Sequence, residues 1–301
     1  MENWNSPHPA GWTSSDFLLD PFTYQYLNAT FQSNDQPPVS YEGQYATDIL
    51  AAKAYGLLDE GVKSDKPFFL TVAPVAPHSN VNPNAPPSPR GEVWTPPVPA
   101  DRHKHLFPDA KIPRKANFNP DEPSGASWIK HLAKLTYQVI DYNDAFYRNR
   151  LQALQAVDEI IKGLITRLED YGVLENTYIL YTTDNGYHIS QHRLNPGKEC
   201  GFEEDINIPL VIRGPGVPVG ESEVVTAHTD LAPTILKIIG GEWDHEDLDG
   251  SPIPLSEEEL AGEENRHEHV NVEFWGQSIA EGRFGFSLDD GKVGKSSFAS
   301  I

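Results

Sequence analysis

Residues 178–203 of this chain read YILYTTDNGYHISQHRLNPGKECGFE. The apolar and β-branched run 178–183 predicts a strand, which stops at Asp184, Asn185 and Gly186. In an α/β sheet, ligands bind beyond the carboxyl ends of the strands. The side-chain oxygens of Asp184 and Asn185 are ligands that Ca²⁺ or Mg²⁺ prefers. A turn without chemistry is the alternative, because Asp, Asn and Gly favour turns for backbone reasons alone.

Charged side chains near this turn and near a second strand end suit an anionic substrate. His188 and Lys198 follow the Asp-Asn-Gly turn, and His78 follows the apolar run 68–73, which predicts a buried strand. Both loops leave the same kind of strand end. We therefore expect His78, Lys198 and the Asp184 region to converge at one end of the sheet.

Composition excludes several classes of protein. The formal net charge of −21 argues against nucleic-acid binding, which needs a basic face. No run approaches the 18 or so apolar residues of a membrane span. The opening residues do not have the pattern of a signal peptide. Asn28 begins the only sequon for N-glycosylation in the sequence. Cys200 is the only cysteine, so no disulfide can form within the chain. We expect Cys200 to be a buried thiol without a special role.

Helical periodicity alternates with predicted strands along the chain. Apolar residues recur at helical spacing over 47–62, over 127–171 as one or two helices, and over 230–239. Thr47 is the predicted N-cap of the first helix, and Gly172 the residue that ends the second. Strands alternating with helices predict an α/β sheet with helices on both faces.

Other segments carry weaker signals. Residues 81–123 hold 11 of the 26 prolines and many cations, so they predict either a wall of the substrate cleft or a stiff surface excursion. The remaining predictions are a loop with at most a short strand over 1–40, a strand over 208–212, an exposed acidic loop over 242–269, an edge strand over 270–274 and a frayed tail over 293–301.

Three motifs resemble the sulfatase family of the alkaline-phosphatase-like superfamily, most closely arylsulfatases and N-acetylglucosamine-6-sulfatases. The upstream motif is Ala-Pro-His at 76–78. The central motif is Thr-Asp-Asn-Gly-Tyr-His at 183–188, followed by Lys198, Phe-Glu at 202–203 and the Pro-Leu strand at 209–216. The downstream motif is the helix at 228–236. The resemblance implies a central mixed sheet flanked by helices, incomplete here, with residues 1–292 forming a partial sulfatase domain.

The resemblance also implies roles for single residues. Asp184 and Asn185 match ligands of Ca²⁺, with Mg²⁺ as the alternative ion. Lys198 matches a lysine that contacts the sulfate oxygens. His78 matches a catalytic histidine that contacts sulfate or protonates the leaving group. His188 matches a position that binds substrate in some members, and packing in the core is the alternative. Two further residues are weaker matches, His192 for the substrate pocket and Glu203 for orienting Lys198 or a backbone amide.

The nucleophile of the family has no match in this sequence. Members carry a formylglycine made within Cys-x-Pro-x-Arg or Ser-x-Pro-x-Arg, and neither pattern occurs here. The paired aspartates and the Lys-x-His element of the family are also unmatched. We therefore expect a sulfatase that lacks its N-terminal part and its C-terminal subdomain, and no turnover by this chain alone. The alternatives are a phosphodiesterase or phosphonate hydrolase of the same superfamily, or a non-catalytic fragment.

Partners and location follow from the same resemblance. The expected substrate is a sulfate ester of a small molecule or glycan, and no nucleic-acid partner or membrane span is expected. Family members are secreted, lysosomal or vacuolar. The sequence does not indicate an oligomeric state.

Overall fold

The computed structural model describes residues 10–84, 93–123, 125, 127–241, 247–262, 269–273, 279–285, 288–289 and 292–293. The helices are α1 (Ala46–Lys63), α2 (Tyr137–Asp170), α3 (Glu203–Ile206), α4 (Leu231–Ile238) and α5 (Glu257–Ala261). The strands are β1 (Asp16–Leu18), β2 (Thr30–Ser33), β3 (Val39–Ser40), β4 (Asn80–Val81), β5 (Trp94–Thr95), β6 (Ile179–Tyr181), β7 (Gly197–Lys198), β8 (Val211–Arg213), β9 (Ile279–Ala280), β10 (Leu288–Asp289) and β11 (Lys292–Val293).

Helix α2 is the central support of the described fold. A 3₁₀ turn, Ser127–His131, precedes it, and the Thr136 side chain caps its first turn by accepting a hydrogen bond from the Val139 backbone N–H. Gly172 ends the helix as predicted, at φ +69°. Its N–H bonds to the Glu169 carbonyl oxygen at 2.8 Å, which satisfies a group that the helix end leaves open.

Helix α1 packs against α2 through buried Leu58 and Leu168. The predicted N-cap was wrong: Tyr45 takes that position, and Thr47 lies within the first turn with 1% of its surface exposed. The N-cap residue precedes the helix and has an extended backbone. Tyr45 has this conformation, whereas Thr47 lies inside the helix, so its side chain is not at the capping position.

The N-terminal segment is more ordered than the sequence predicts. Strands β1, β2 and β3 form an antiparallel sheet, with Asp16 opposite Ser33 and Thr30 opposite Ser40. Phe31 on β2 is buried against α1. Each of these strands has only two to four residues, which is too short to show the alternation of polar and apolar residues from which strands are predicted.

The other described strands form two-stranded antiparallel sheets, β4–β5, β6–β8, β7–β9 and β10–β11. β6 and β8 are shorter than the predicted strands, with Ile179 opposite Arg213. The buried strand predicted over 68–73 was wrong, since no strand is assigned there and Phe69 is 60% exposed. No described strand pairs with this segment, and an apolar run is buried only if neighbours cover it.

Two predictions near the C-terminus also need correction. The acidic region contains α5, which begins in a capping box of Ser256 and Glu259 and therefore is not wholly loop. Residues 270–273 are exposed and form no strand, and Phe274 lies outside the described residues. The tail predicted as frayed also lies outside them, except for Val293 in β11.

Helix α4 confirms its prediction closely. A 3₁₀ turn, His228–Asp230, leads into it, Pro233 lies in its first turn, and Gly240 follows its end at φ +67°. No described helix has both the length and the apolar content needed to cross a lipid bilayer.

Candidate active site

The Asp-Asn-Gly loop leaves β6 and is held down by α3. The Gly186 N–H donates to the Asp205 carbonyl oxygen at 2.8 Å, and the Tyr187 N–H donates to the Glu204 carbonyl oxygen at 2.7 Å. A Cβ on Gly186 would lie 2.0 Å from that Glu204 oxygen. Only glycine fits here, so this loop is a packed structure and not an isolated turn.

Lys198 is held opposite this loop. Its strand, β7, pairs with β9, and the His188 N–H donates to the Gly197 carbonyl oxygen at 3.0 Å. The Lys198 Nζ lies 3.4 Å from the Asn185 Oδ1 and 3.5 Å from the His78 Nε2. The structure therefore brings together three residues predicted as site residues, two of which are 120 positions apart.

His78 is half-buried between aromatic rings. It stacks on Tyr24 at 4.2 Å between ring centroids, and Trp94 lies 5.6 Å away. The Nδ1–H donates to the Ser79 carbonyl oxygen at 2.9 Å, so the Nε2 lone pair faces Lys198. Loss of hydration lowers the pKa of His78, and the positive charge of Lys198 adds to this effect.

Asp184 and Asn185 offer hard oxygen donors at this place. Asp184 is exposed, and its Oδ1 accepts from the Thr183 hydroxyl at 3.2 Å. The Asn185 Nδ2 donates to the Gly186 carbonyl oxygen at 2.6 Å, so Oδ1 is the side-chain atom that could coordinate an ion. Oxygen ligands suit a hard divalent cation such as Ca²⁺. Asp184 and Asn185 supply only part of a coordination shell, because Ca²⁺ takes six to eight oxygens. We call His78, Asp184, Asn185 and Lys198 the open site.

The side chain of His188 is buried, in contrast to that of Asp184. It is 0% exposed, and its Nδ1 lies 2.9 Å from each carboxylate oxygen of Asp205. This placement favours the core role that the sequence left as an alternative. Its predicted role in substrate binding stays a prediction. Asp205 also accepts from the Cys200 backbone N–H at 2.9 Å. We call His188, Cys200 and Asp205 the closed cluster.

Two weaker candidates have other partners. His192 stacks on Phe202 at 4.0 Å and lies 3.8 Å from the Glu204 carboxylate, and burial lowers the pKa of His192. Glu203 is exposed and accepts from the Asn207 side chain, so the expectation that it orients Lys198 was wrong. The carboxylate that holds a backbone amide in this loop is Asp205.

Sequence reasoning missed two residues that join the His78 loop to the Asp-Asn-Gly loop. Arg150 on α2 donates to the Pro77 carbonyl oxygen at 3.0 Å, and its guanidinium lies 3.9 Å from the Tyr187 ring centre. Glu281 is 2% exposed and accepts hydrogen bonds from the Ser79 and Tyr187 hydroxyls. The only sequence signal for Arg150 is a charge among apolar helix positions, and Glu281 has none.

The proline-rich segment contacts both the candidate site and the helices. Trp94 lies beside His78, and the predicted role of the segment as a wall of the substrate cleft stays a prediction. The cation Arg102 instead pairs with Asp48 and Glu159 on helices α1 and α2, and Arg114 pairs with Asp144. Residues 85–92 of the segment lie outside the described ones.

Several known proteins are similar to this chain. A family model described as Sulfatase matches residues 6–241. Sulfatase ppz1 of Metarhizium majus is 44% identical over 240 residues, covering 79% of this chain and 54% of that protein. The arylsulfatase of Volvox carteri is 36% identical over 288 residues, covering 89% and 44%. The N-acetylglucosamine-6-sulfatase of Homo sapiens is 36% identical over 255 residues, covering 82% and 42%. The chain thus spans about half the length of the curated relatives it matches.

One solved structure has the same fold as this chain. It shows another protein in complex with that protein's substrate, D-glucosamine-2-N,6-O-disulfate, and it aligns with this chain at a TM-score of 0.64 and 24% sequence identity. The alignment covers 84% of this chain and 60% of that chain. The predicted α/β fold of the alkaline-phosphatase-like type is thereby confirmed.

Proposed function

This chain belongs to the sulfatase family, and we propose that it carries the metal-binding and sulfate-binding part of a sulfuric ester hydrolase site. The observation that carries this proposal is the convergence of Lys198 on His78 and Asn185, at 3.5 and 3.4 Å. In an acidic chain of net charge −21, an anion needs a local concentration of positive charge.

Each residue of the open site has a role in this proposal. The Lys198 ammonium contacts the sulfate oxygens and opposes the negative charge that develops on them. In a complete site, His78 takes a proton from solvent at Nε2 and donates it to the leaving oxygen as the bond from that oxygen to sulfur breaks. Asp184 and Asn185 hold a divalent cation, Ca²⁺ or Mg²⁺, which supplies positive charge to the sulfate when bound.

The aromatic rings beside His78 support a substrate with a flat or ring-shaped alcohol. Tyr24 and Trp94 border His78 and lie 5.5 Å from one another. Such rings bury and stack on aromatic or sugar groups. The relatives named arylsulfatase and N-acetylglucosamine-6-sulfatase act on esters of these two kinds. Relatives named as extracellular sulfatases also support a secreted or lysosomal location.

The proposal separates binding from turnover. A sulfate ester binds to this chain, but the 301 residues hold no formylglycine pattern, so this chain alone does not hydrolyse it. The second candidate function of the isolated chain is therefore binding of a sulfate ester without catalysis. Hydrolysis of an aryl sulfate above a heat-treated control would contradict the expectation.

A binding titration tests the proposal directly. With Ca²⁺ present, 4-nitrophenyl sulfate should shift the His78 ring proton in NMR spectra in a saturable manner. Lys198→Ala should weaken this binding about 10–150-fold, since a hydrogen bond to a charged group is worth about 1.5–3 kcal/mol. The control is Lys66→Ala, which removes an exposed lysine and should leave binding unchanged. Equal binding by the wild type and Lys198→Ala would overturn the proposal.

A comparison of esters tests the reaction class. If the site is built for sulfate, 4-nitrophenyl sulfate should compete for it better than 4-nitrophenyl phosphate at the same pH. Tighter binding of the phosphate would favour a phosphoryl-transfer relative of the same superfamily.

A further inference from the structure

Glu281, near the C-terminal end of the described residues, is fixed by its backbone to the strand that carries Lys198. It follows β9, which pairs with β7. Its N–H donates to the carbonyl oxygen of Pro196, two residues before Lys198, at 2.6 Å. The N–H of the next residue, Gly282, donates to the Trp94 carbonyl oxygen at 3.0 Å. These bonds hold Glu281 between two parts of the candidate site.

The side chain of Glu281 contacts the His78 loop. Glu281 is 2% exposed, and its carboxylate accepts hydrogen bonds from the Ser79 and Tyr187 hydroxyls. Burying a carboxylate is unfavourable unless hydrogen bonds replace its lost hydration. An apolar side chain of similar size would avoid this cost. The value of a carboxylate here therefore lies in what it holds, and one group that it holds is the fully buried Ser79.

Ser79 determines which nitrogen of the His78 ring carries the proton. Its carbonyl oxygen accepts from the His78 Nδ1–H at 2.9 Å, and the hydrogen bond of one ring nitrogen sets the state of the other. Nε2 then presents its lone pair to the Lys198 Nζ, 3.5 Å away. The preceding carbonyl, that of His78, accepts from the Tyr26 hydroxyl at 2.8 Å. Tyr26 thus holds the backbone of His78, and Glu281 holds the side chain of Ser79.

From these contacts we infer that Glu281 is a positioning residue of the open site. Its backbone is bonded to the segment that leads to Lys198, and its side chain holds Ser79, so it fixes how the His78 ring faces the Lys198 ammonium. Because Glu281 is buried, it does not contact an ester bound in the open site. This role rests on the proposed function, which assigns proton transfer to the Nε2 of His78.

Nitrogen NMR of the histidine rings provides the test, because a protonated and an unprotonated ring nitrogen differ in chemical shift. The chain is labelled with ¹⁵N-histidine, and the His78 signals are identified by their loss in His78→Gln. Above neutral pH and without ester, we expect the wild type to hold His78 mainly in the Nδ1–H form. A free histidine side chain prefers the Nε2–H form, so this result would report the Ser79 contact. A wild-type ring in the Nε2–H form would overturn the inference.

Variants test whether Glu281 maintains this state of the ring. Glu281→Ala should lower the ratio of the Nδ1–H to the Nε2–H form about 2–12-fold, the worth of one hydrogen bond. Glu281→Gln keeps an oxygen that accepts from Ser79 and should keep most of the wild-type ratio. The matched control is Asp144→Ala, which removes a buried carboxylate that pairs with Arg114, outside the His78 loop. It should lower stability and leave the ratio unchanged. An unchanged ratio in Glu281→Ala, or an equal fall in Asp144→Ala, contradicts the positioning role.

A second variant keeps the test decisive if Glu281→Ala does not fold. Ser79→Ala removes only the hydroxyl and should lower the same ratio to a similar extent, and an unchanged ratio there would also overturn the inference.

The result is separable from the proposed function, because the ratio is measured without ester. If the ratio is unchanged in Glu281→Ala while Lys198-dependent ester binding persists, Glu281 serves only the fold and the proposed function stands. If the ratio falls as expected but ester binding does not depend on Lys198, Glu281 positions His78 and the proposed function is wrong.

Discussion

The open site and the closed cluster share two loops but differ in their access to water. Asp184 is exposed and Lys198 half-buried, whereas His188 and Asp205 are 0% and 4% exposed. Each region contains a histidine and an aspartate; the open site adds the Asn185 amide and the Lys198 ammonium, and the closed cluster adds the Cys200 thiol. Ligand exchange needs a path to water. Substitutions in the open site should therefore change ligand binding, and substitutions in the closed cluster should change stability.

The largest effect expected from this comparison is the loss of stability in His188→Ala. Removing the imidazole takes away the His188 contact and leaves the buried Asp205 carboxylate with the Cys200 backbone N–H as its remaining hydrogen-bond donor among the described residues. Breaking a buried pair in this way lowers the free energy of unfolding by about 3–5 kcal/mol. Urea denaturation of wild type and variant measures it. His105→Ala, at an exposed histidine, is the control and should change stability by less than about 0.5 kcal/mol. A loss below about 1 kcal/mol in His188→Ala would remove the structural role of the cluster.

Arg150 contacts both the His78 loop and the Asp-Asn-Gly loop. We therefore expect Arg150→Ala to cause the next largest loss of stability and to alter both the open site and the closed cluster. The substitution removes the hydrogen bond to Pro77 and the cation–π contact with Tyr187. Together these are worth about 2–3 kcal/mol in unfolding free energy. The His78 ring proton should also move in the NMR spectrum. Arg148→Ala, which removes a hydrogen bond to the Ala110 carbonyl oxygen away from the site, should leave that signal in place.

The parts of the molecule that the sequence predicts well are those with local causes. Gly172 and Gly240 end their helices because the chain there needs a positive φ. In the open site, Asp184, Asn185 and Lys198 could be predicted because they form a known pattern after strand β6. The helix ends and this pattern need no information about distant residues, whereas the approach of His78 to Lys198 across 120 positions does.

The parts that could not be predicted depend on distant partners. The apolar run 68–73 has the composition of a buried strand, but burial requires a neighbour, and no described strand pairs with it. Glu281 contacts Ser79 across 202 positions, and no periodicity marks such a contact. Cys200 looks like an ordinary buried thiol until the fold brings His188 and Asp205 beside it.

A smaller effect concerns the protonation of His78 in the open site. Loss of hydration and the charge of Lys198 lower the pKa of His78, so its folded-state value lies below the unfolded value of about 6.5. The unfolded chain then binds the proton more readily. This contribution to stability is present above pH 6.5 and is lost as the pH falls through the folded pKa. An NMR titration of the His78 ring measures the pKa directly.

The Lys198→Ala variant gives that titration its control. Removing the ammonium should raise the pKa of His78 toward its usual range, because one of the charges that lower it is gone. Lys66→Ala, which removes an exposed lysine, should leave the pKa of His78 as it is in the wild type. A pKa of His78 that does not change in Lys198→Ala would mean that the two groups are not coupled in solution.

The smallest effect is stabilisation by Ca²⁺, and we expect it to depend on the open site and not on the closed cluster. Asp184 and Asn185 supply two or three of the six to eight oxygens that Ca²⁺ takes, so the dissociation constant should be millimolar or weaker. At a concentration equal to that constant, binding adds about 0.4 kcal/mol to the free energy of unfolding. For a chain of this size the melting temperature then rises by about 1 °C. Calorimetry with and without 1 mM Ca²⁺ measures this change; Asp184→Asn should abolish it and Asp205→Asn should leave it. A rise of several degrees in the wild type would show that further residues of this chain complete the coordination of the ion, and the open site would then be as fully built as the closed cluster.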